Sequence, residues 1–323
     1  MVVLHTKTLL HTLHECLFHA EPFAFIGFIA IFWPSGWAGE SVVMDLVAAY
    51  GWFWPLFAGL VGLQVGSFIN LLVWRLPQMM QHQWQREFAL ANQQQESVSP
   101  VFNLAVPRSH CTSCHTPLRV RDLVPVLSFL WLKGQCAHCG AKVSWRYPLV
   151  EITVALLWAG CVGYVGPTAS ALAWAVFATV LVALALIDAD TMLLPDSLTL
   201  PLLWGGMLCA SLGWIPVTLE QSVWGATLGY GLLWSVQAVF GWFTGKQGMG
   251  EGDFKLLAAL GAWLGWTALP ALVLLASVSG VLFAIYERVR GRLKAGEPLP
   301  FGPHLVLGSG VFKALIPWNV LGI

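Results

Sequence analysis

Two aspartates stand where an ionisable side chain is expensive. Asp188 closes the apolar run Trp174 to Ile187, and Asp253 sits in Gly250-Glu251-Gly252-Asp253, directly before another apolar run. Charge at membrane depth carries a large desolvation cost, so both are functional candidates. Two carboxyls brought together there would not both ionise; repulsion and desolvation leave the pair sharing one proton. Such a pair is suited to peptide hydrolysis. One carboxylate takes a proton from water while its protonated partner donates to the carbonyl oxygen. Gly250 and Gly252 suit the second position, because glycine lets backbone approach an extended substrate and take positive φ. A helix starting at Asp253 would add free N–H groups near the reacting carbonyl. Other readings stay open. Asp253 could serve as an N-cap, Asp196 in Leu194-Pro195-Asp196-Ser197 as a cap or loop-orienting residue, and spacing alone does not choose between Asp188 and Asp190.

A second constellation is Cys111-x2-Cys114 and Cys136-x2-Cys139, with 21 residues between the pairs. Four thiolates in two close pairs make a closed tetrahedral site, which predicts structural Zn²⁺. The gap is slightly longer than the usual window. A reducing compartment disfavours disulfides. His115 and His138 lie inside the knuckles and are read as bystanders. Cys16, Cys161 and Cys209 stand alone in apolar surroundings and are read as small buried hydrophobes. A small insert has little core of its own, so metal binding would supply much of its folding energy.

The elements that must position these groups are membrane spans. Of 323 residues, 57% are apolar and 10% charged, against about 25% charged in a soluble domain. The first convincing span runs from Trp54 to Trp74 and is expected to stop at Arg75-Leu76-Pro77, a basic residue followed by a helix breaker. Seven apolar segments follow the polar insert, near 148–165, 170–187, 197–213, 222–243, 254–268, 270–288 and 303–320. This predicts an all-α polytopic membrane protein with about eight transmembrane helices and a small zinc-binding insert. The expected division is 1–43 as an N-terminal extension, 44–77 as the first transmembrane helix, 78–147 as the four-cysteine module, and 148–323 as the membrane core. The apolar run Phe23 to Trp33 is short for a span, and Met44 is a second candidate start.

Charge gives sidedness. Eight of the sixteen basic residues lie between Arg75 and Arg146, and none lies between Tyr147 and Gly245. Basic loops stay cytoplasmic. Alternation from a cytoplasmic insert then puts both aspartates at the cytoplasmic face, with no Lys or Arg in the outer loops. The basic residues are too sparse for a nucleic-acid partner. The stretch Gly241 to Gln247 fails as a P-loop, because three residues separate its glycines and Gln247 replaces Ser or Thr.

With Gly66-Ser67-Phe68-Ile69-Asn70, Arg75-Leu76-Pro77, both cysteine pairs and Arg146-Tyr147-Pro148-Leu149-Val150-Glu151, the chain resembles the bacterial type IV prepilin peptidases. These are also called prepilin leader peptidase/N-methyltransferases and are GxGD membrane aspartic proteases. Further matches are Ile187-Asp188-Ala189-Asp190, Leu194-Pro195-Asp196, Gly248 to Lys255, and Pro300-Phe301-Gly302-Pro303. The resemblance implies Asp188 and Asp253 as the catalytic pair, with Gly250, Gly252, Asp196 and Lys255 supporting them. It implies removal of the basic leader from prepilins or type II secretion pseudopilins. Because the four-cysteine module is present, it also implies methylation of the new N-terminus with S-adenosylmethionine. The implied location is the bacterial inner membrane, in contact with lipid. Residues 1–43 have no counterpart in the family pattern, and Cys111-Thr112-Ser113-Cys114 lacks the common proline.

Two other classes compete. A proton-coupled transporter would use the aspartates as a relay, but the outer halves of the spans carry almost no ionisable groups. A membrane scaffold recruiting partners through the zinc module leaves both membrane-boundary acids unexplained.

Overall fold

The structure, a computed structural model, describes residues 51–92, 102–246, 248–294 and 298–315. The expectations for residues 1–43, Met44 and Cys16 lie outside the described residues, as does the end of the last expected span, 316–320. Helices are numbered from the first described one: α1 Phe53–Ala91, α2 Leu127–Trp131, α3 Arg146–Val165, α4 Ala169–Thr191, α5 Asp196–Ser211, α6 Leu219–Thr244, α7 Glu251–Leu264, α8 Leu269–Val289 and α9 Gly302–Leu315. The described residues contain no strand, only two isolated bridges in the cysteine module. All seven apolar segments after the insert coincide with helices, α3 to α9.

Four helical segments are long and apolar enough to cross a bilayer: α1, α3, α4 and Trp266–Val289, which contains α8. Helix α6 has 26 residues but is not among these four, and α5, α7 and α9 are different in kind. With 16 residues in α5 and 14 each in α7 and in α9 as described, they measure about 21–24 Å at 1.5 Å per residue. A helix buried all round reads as continuously apolar, and α7 is such a helix. From Leu256 to Leu264 every residue is buried. It lies against α5 and α6 and also touches α9. Gly225 of α6 and Gly261 of α7 sit backbone to backbone, where any Cβ would overlap the opposite carbonyl. Ser222 Oγ donates to Ala262 O at 2.7 Å, and Trp263 Nε1 donates to Leu202 O at 2.7 Å. Phe177 stacks on Trp263 with ring centroids 4.6 Å apart.

A second, smaller core joins α1, α3 and α4 through Ile69, Val73, Val150, Val154, Ala183 and Ile187. Gly66 allows α1 to press on α3, since a Cβ there would lie 2.7 Å from Glu151 Cα.

The expected stop at Arg75-Leu76-Pro77 is not a stop. Helix α1 continues 14 residues beyond Pro77 to Ala91. Proline removes one N–H and crowds one carbonyl, and the helix absorbs that loss. Nor is Arg75 a headgroup anchor. It is 3% exposed and donates to the carbonyls of Asn103, Leu104 and Pro107 at 2.8, 3.2 and 2.6 Å. It therefore ties the segment leading into the cysteine module to α1.

Candidate active site

Helix α4 ends at Thr191, three residues after Asp188. Met192 adopts the left-handed conformation and its N–H donates to Asp188 O at 2.8 Å. The side chain points into the bundle and is 4% exposed. Its Oδ2 accepts the N–H of Gly302, the first residue of α9, at 2.8 Å. That N–H is one of the donors a helix start leaves unused, and it lies at the positive end of the helix dipole. A Cβ on Gly302 would stand 2.7 Å from Asp188 Oδ2, so only glycine lets α9 begin this close to the carboxyl.

Asp253 comes from α7. The N-cap of that helix is Gly250, and Asp253 occupies the third helical position. It is not the N-cap, and the helix starts two residues earlier than expected. Its carboxyl is 9% exposed, and Oδ1 is buried with no hydrogen-bond partner. Asp188 is close enough for its charge to act on Asp253. Gly250 has φ −78°, so positive φ is not its role. Gly252 is needed for packing: a Cβ there would meet Leu194 Cβ at 2.7 Å.

Asp190 and Asp196 are engaged elsewhere. Asp190 forms a two-pronged pair with Arg146, at 2.9 and 2.6 Å, on the half-exposed rim where α3 begins. The N-cap of α5 is Pro195, and Asp196 instead accepts Lys255 Nζ on both oxygens, at 2.7 and 2.8 Å. That pair ties the start of α5 to α7. One end of the bundle thus gathers the end of α4, the starts of α3, α5, α7 and α9, and the cysteine module.

In the module, Cys111, Cys114, Cys136 and Cys139 bring their sulfurs within 4.8 Å of one another. The two knuckles repeat one geometry. Cys111 N donates to Thr116 O and Cys136 N to Ala141 O, at 3.0 and 2.8 Å. His115 and Gly140 take the left-handed position in each turn, with φ 56° and 70°. The cluster holds no histidine. Tetrahedral Zn–S bonds of about 2.3 Å separate sulfurs by about 3.8 Å, and Cys111 Sγ lies 3.9 Å from Cys139 Sγ. The soft all-sulfur donor set and this spacing fit a zinc ion. Backbone N–H groups of Cys114 and Ser113 lower the Cys111 thiol, and those of Cys139 and His138 lower Cys136. The Thr116 hydroxyl and N–H lower Cys114. For Cys139 the Ala141 N–H acts downward, but desolvation and the neighbouring sulfurs outweigh it and push the thiol to about 11. The apolar cysteines behave otherwise: Cys209 is buried and Cys161 partly buried, each packed in the core.

Comparison with known proteins decides the lineage. The bacterial peptidase A24 N-terminal domain matches residues 60–165, and the type IV leader peptidase family matches residues 175–285. A prepilin leader peptidase/N-methyltransferase of Aeromonas hydrophila is 45% identical over 273 residues, covering 84% of this chain and 94% of the relative. The chain belongs to the prepilin leader peptidase/N-methyltransferase family. A family member from Burkholderia pseudomallei (strain 1026b) is 47% identical over 256 residues, 78% of this chain and 82% of the relative. One from Pseudomonas aeruginosa is 41% identical over 270 residues, 83% of this chain and 93% of the relative. No solved structure matches the chain.

Two residues of this family member gain an explanation that reading the residues one by one did not supply. Gly302 stands at Asp188 although 114 positions away. Its only sequence signal is the Pro-Phe-Gly-Pro turn. Glu151 is 7% exposed and bonds to Ser67 and the Val126 N–H. Its signal is a lone acid within an apolar helix.

Proposed function

We propose that the chain cuts the basic leader from prepilin or pseudopilin precursors at the cytoplasmic face of the bacterial inner membrane, with Asp188 and Asp253 as its catalytic pair, and then methylates the new N-terminus. One observation carries this reading: two buried carboxyls from α4 and α7 at the same end of the bundle, with the Gly302 N–H on Asp188 Oδ2 and Asp253 Oδ1 buried without a hydrogen-bond partner. The family membership supports the same activity.

The chemistry follows from the surroundings of the two acids. The 2.8 Å bond from the Gly302 N–H favours the carboxylate form of Asp188, and Asp188 is assigned as the base. It takes a proton from a water molecule as that water attacks the scissile carbonyl carbon. Asp253, carrying the shared proton, gives it to the carbonyl oxygen. Collapse of the tetrahedral intermediate breaks the C–N bond, and the amine leaves with a proton returned through the pair. The precursor's apolar helix lies in the bilayer, and its basic leader stays in the cytoplasm, where positive charge is retained. The cut then falls at the membrane boundary.

In this topology α1 and α3 to α9 are eight spans. The three short ones, α5, α7 and α9, begin beside the catalytic pair, where irregular backbone is tolerated when protein and not lipid surrounds it. Residues 148–323 form the membrane core. A structural zinc ion on Cys111, Cys114, Cys136 and Cys139 cross-links the two knuckles. S-adenosylmethionine as methyl donor rests on the relatives' name alone. Mass spectrometry of a co-expressed precursor tests the proposal. The expected product lacks the leader and carries one added methyl group on its first residue. An intact precursor, with the enzyme present in the membrane, overturns the reading.

A further inference from the structure

The cysteine module carries apolar side chains that the described residues leave uncovered. Residues Val120–Leu123 form a 3₁₀ turn, and α2 follows after Pro125. Leu127, Leu130 and Trp131 are 64%, 59% and 87% exposed. At spacings of three and four they share one helical face. Val120, on the other arm, is 76% exposed. Phe129 points the opposite way and packs against Trp145 with ring centroids 4.7 Å apart. This short hairpin therefore turns its larger apolar face outward, and a patch of that kind marks an interaction surface.

Depth identifies what covers it. Helix α3 has 20 residues, about 30 Å, which is the thickness of the hydrocarbon core. The whole helix is needed to cross. Glu151 is its sixth residue, about 7.5 Å inside, and its Oε2 accepts the Val126 N–H at 2.8 Å. The tip of the hairpin is thereby pinned below the level at which α3 enters the bilayer. Val126 is held there at φ 58°, a conformation that a β-branched residue rarely takes. Arg119, Arg121 and Lys133 flank the apolar residues in sequence and are exposed, and basic groups of this kind pair with anionic headgroups.

We propose that residues 120–132 form a membrane-dipping hairpin whose apolar face lies among the acyl chains of an anionic lipid leaflet. The cysteine module then rides on the membrane and does not project from it, and stays beside the end of α4 that carries Asp188. This inference needs only that α3 crosses a bilayer; it is independent of the catalytic assignment.

The test uses the full chain in nanodiscs of phosphatidylethanolamine and phosphatidylglycerol. A small fluorescent amino acid replaces Trp131, and separately Thr112 on the first knuckle. Doxyl-labelled lipid should quench the label at 131 while aqueous iodide does not, with the opposite pattern at 112. The same label at Leu130 repeats the measurement if the change at 131 disturbs folding. Iodide access at 131 and 130 without lipid quenching overturns the proposal. So does protection that appears only when a precursor peptide is added, because the face would then belong to a protein partner.

Discussion

Replacing Gly302 by alanine tests whether the start of α9 sets the geometry of Asp188. The added Cβ would stand 2.7 Å from Asp188 Oδ2, and ordinary contact begins at 3.4 Å. The carboxyl must therefore retreat by about 0.7 Å or α9 must move. Either shift stretches the 2.8 Å bond from the Gly302 N–H toward about 3.5 Å, beyond useful hydrogen bonding. A hydrogen bond to a charged group is worth about 1.5–3 kcal/mol. If that support is lost as the base works, kcat falls about 10- to 150-fold. Gly302 is assigned no substrate contact, so KM should stay near that of the unaltered enzyme. The assay is precursor cleavage by purified enzyme in nanodiscs, with thermal unfolding as the check on folding. Gly310→Ala, on the same helix and facing open space, is the control and should be silent. Equal cleavage rates for Gly302→Ala and Gly310→Ala would refute the reasoning.

Other outcomes follow from the same contacts. Asp190→Asn should cleave at close to the normal rate and lose no more than about 1 kcal/mol of stability, because its pair with Arg146 is about 40% exposed on both sides and screened by solvent; an inactive Asp190→Asn would point to the wrong aspartate. Arg75→Ala strands three carbonyls and should cost about 3–5 kcal/mol, read as faster proteolysis in 102–107, and Arg75→Lys should not restore protection because one ammonium cannot span all three acceptors. The purified chain should hold one zinc ion by elemental analysis. Zinc should be retained near neutral pH and released as pH falls, because protonation removes the thiolate ligands; Cys136→Ser should lower the zinc content at every pH.

Much of the architecture was legible because it is local. Helices α3 to α9 are apolar runs bounded by glycine and proline, and the Cys-x2-Cys knuckles carry their own turn geometry. The extension of α1 was not legible. A proline following an arginine reads as an end, yet Gln78 to Ala91 continue the helix at the loss of a single N–H bond. The glycines near Asp253 were read for backbone freedom, whereas Gly252 answers to Leu194, 58 residues earlier. The choice between Asp188 and Asp190 was open to spacing arguments for the same reason. What separates them is Gly302 on one and Arg146 on the other, 114 and 44 residues away. No local pattern records such partners, so only the family resemblance singled out Asp188.

The pairing of Asp188 with Asp253 is tested most directly by the cleavage rate of Asp188→Asn and Asp253→Asn enzymes on a full-length precursor in the same membrane vesicles. Both amide variants keep side-chain size while abolishing proton exchange, so both should insert normally and release no leader. Leader release at a normal rate by either one would contradict the account.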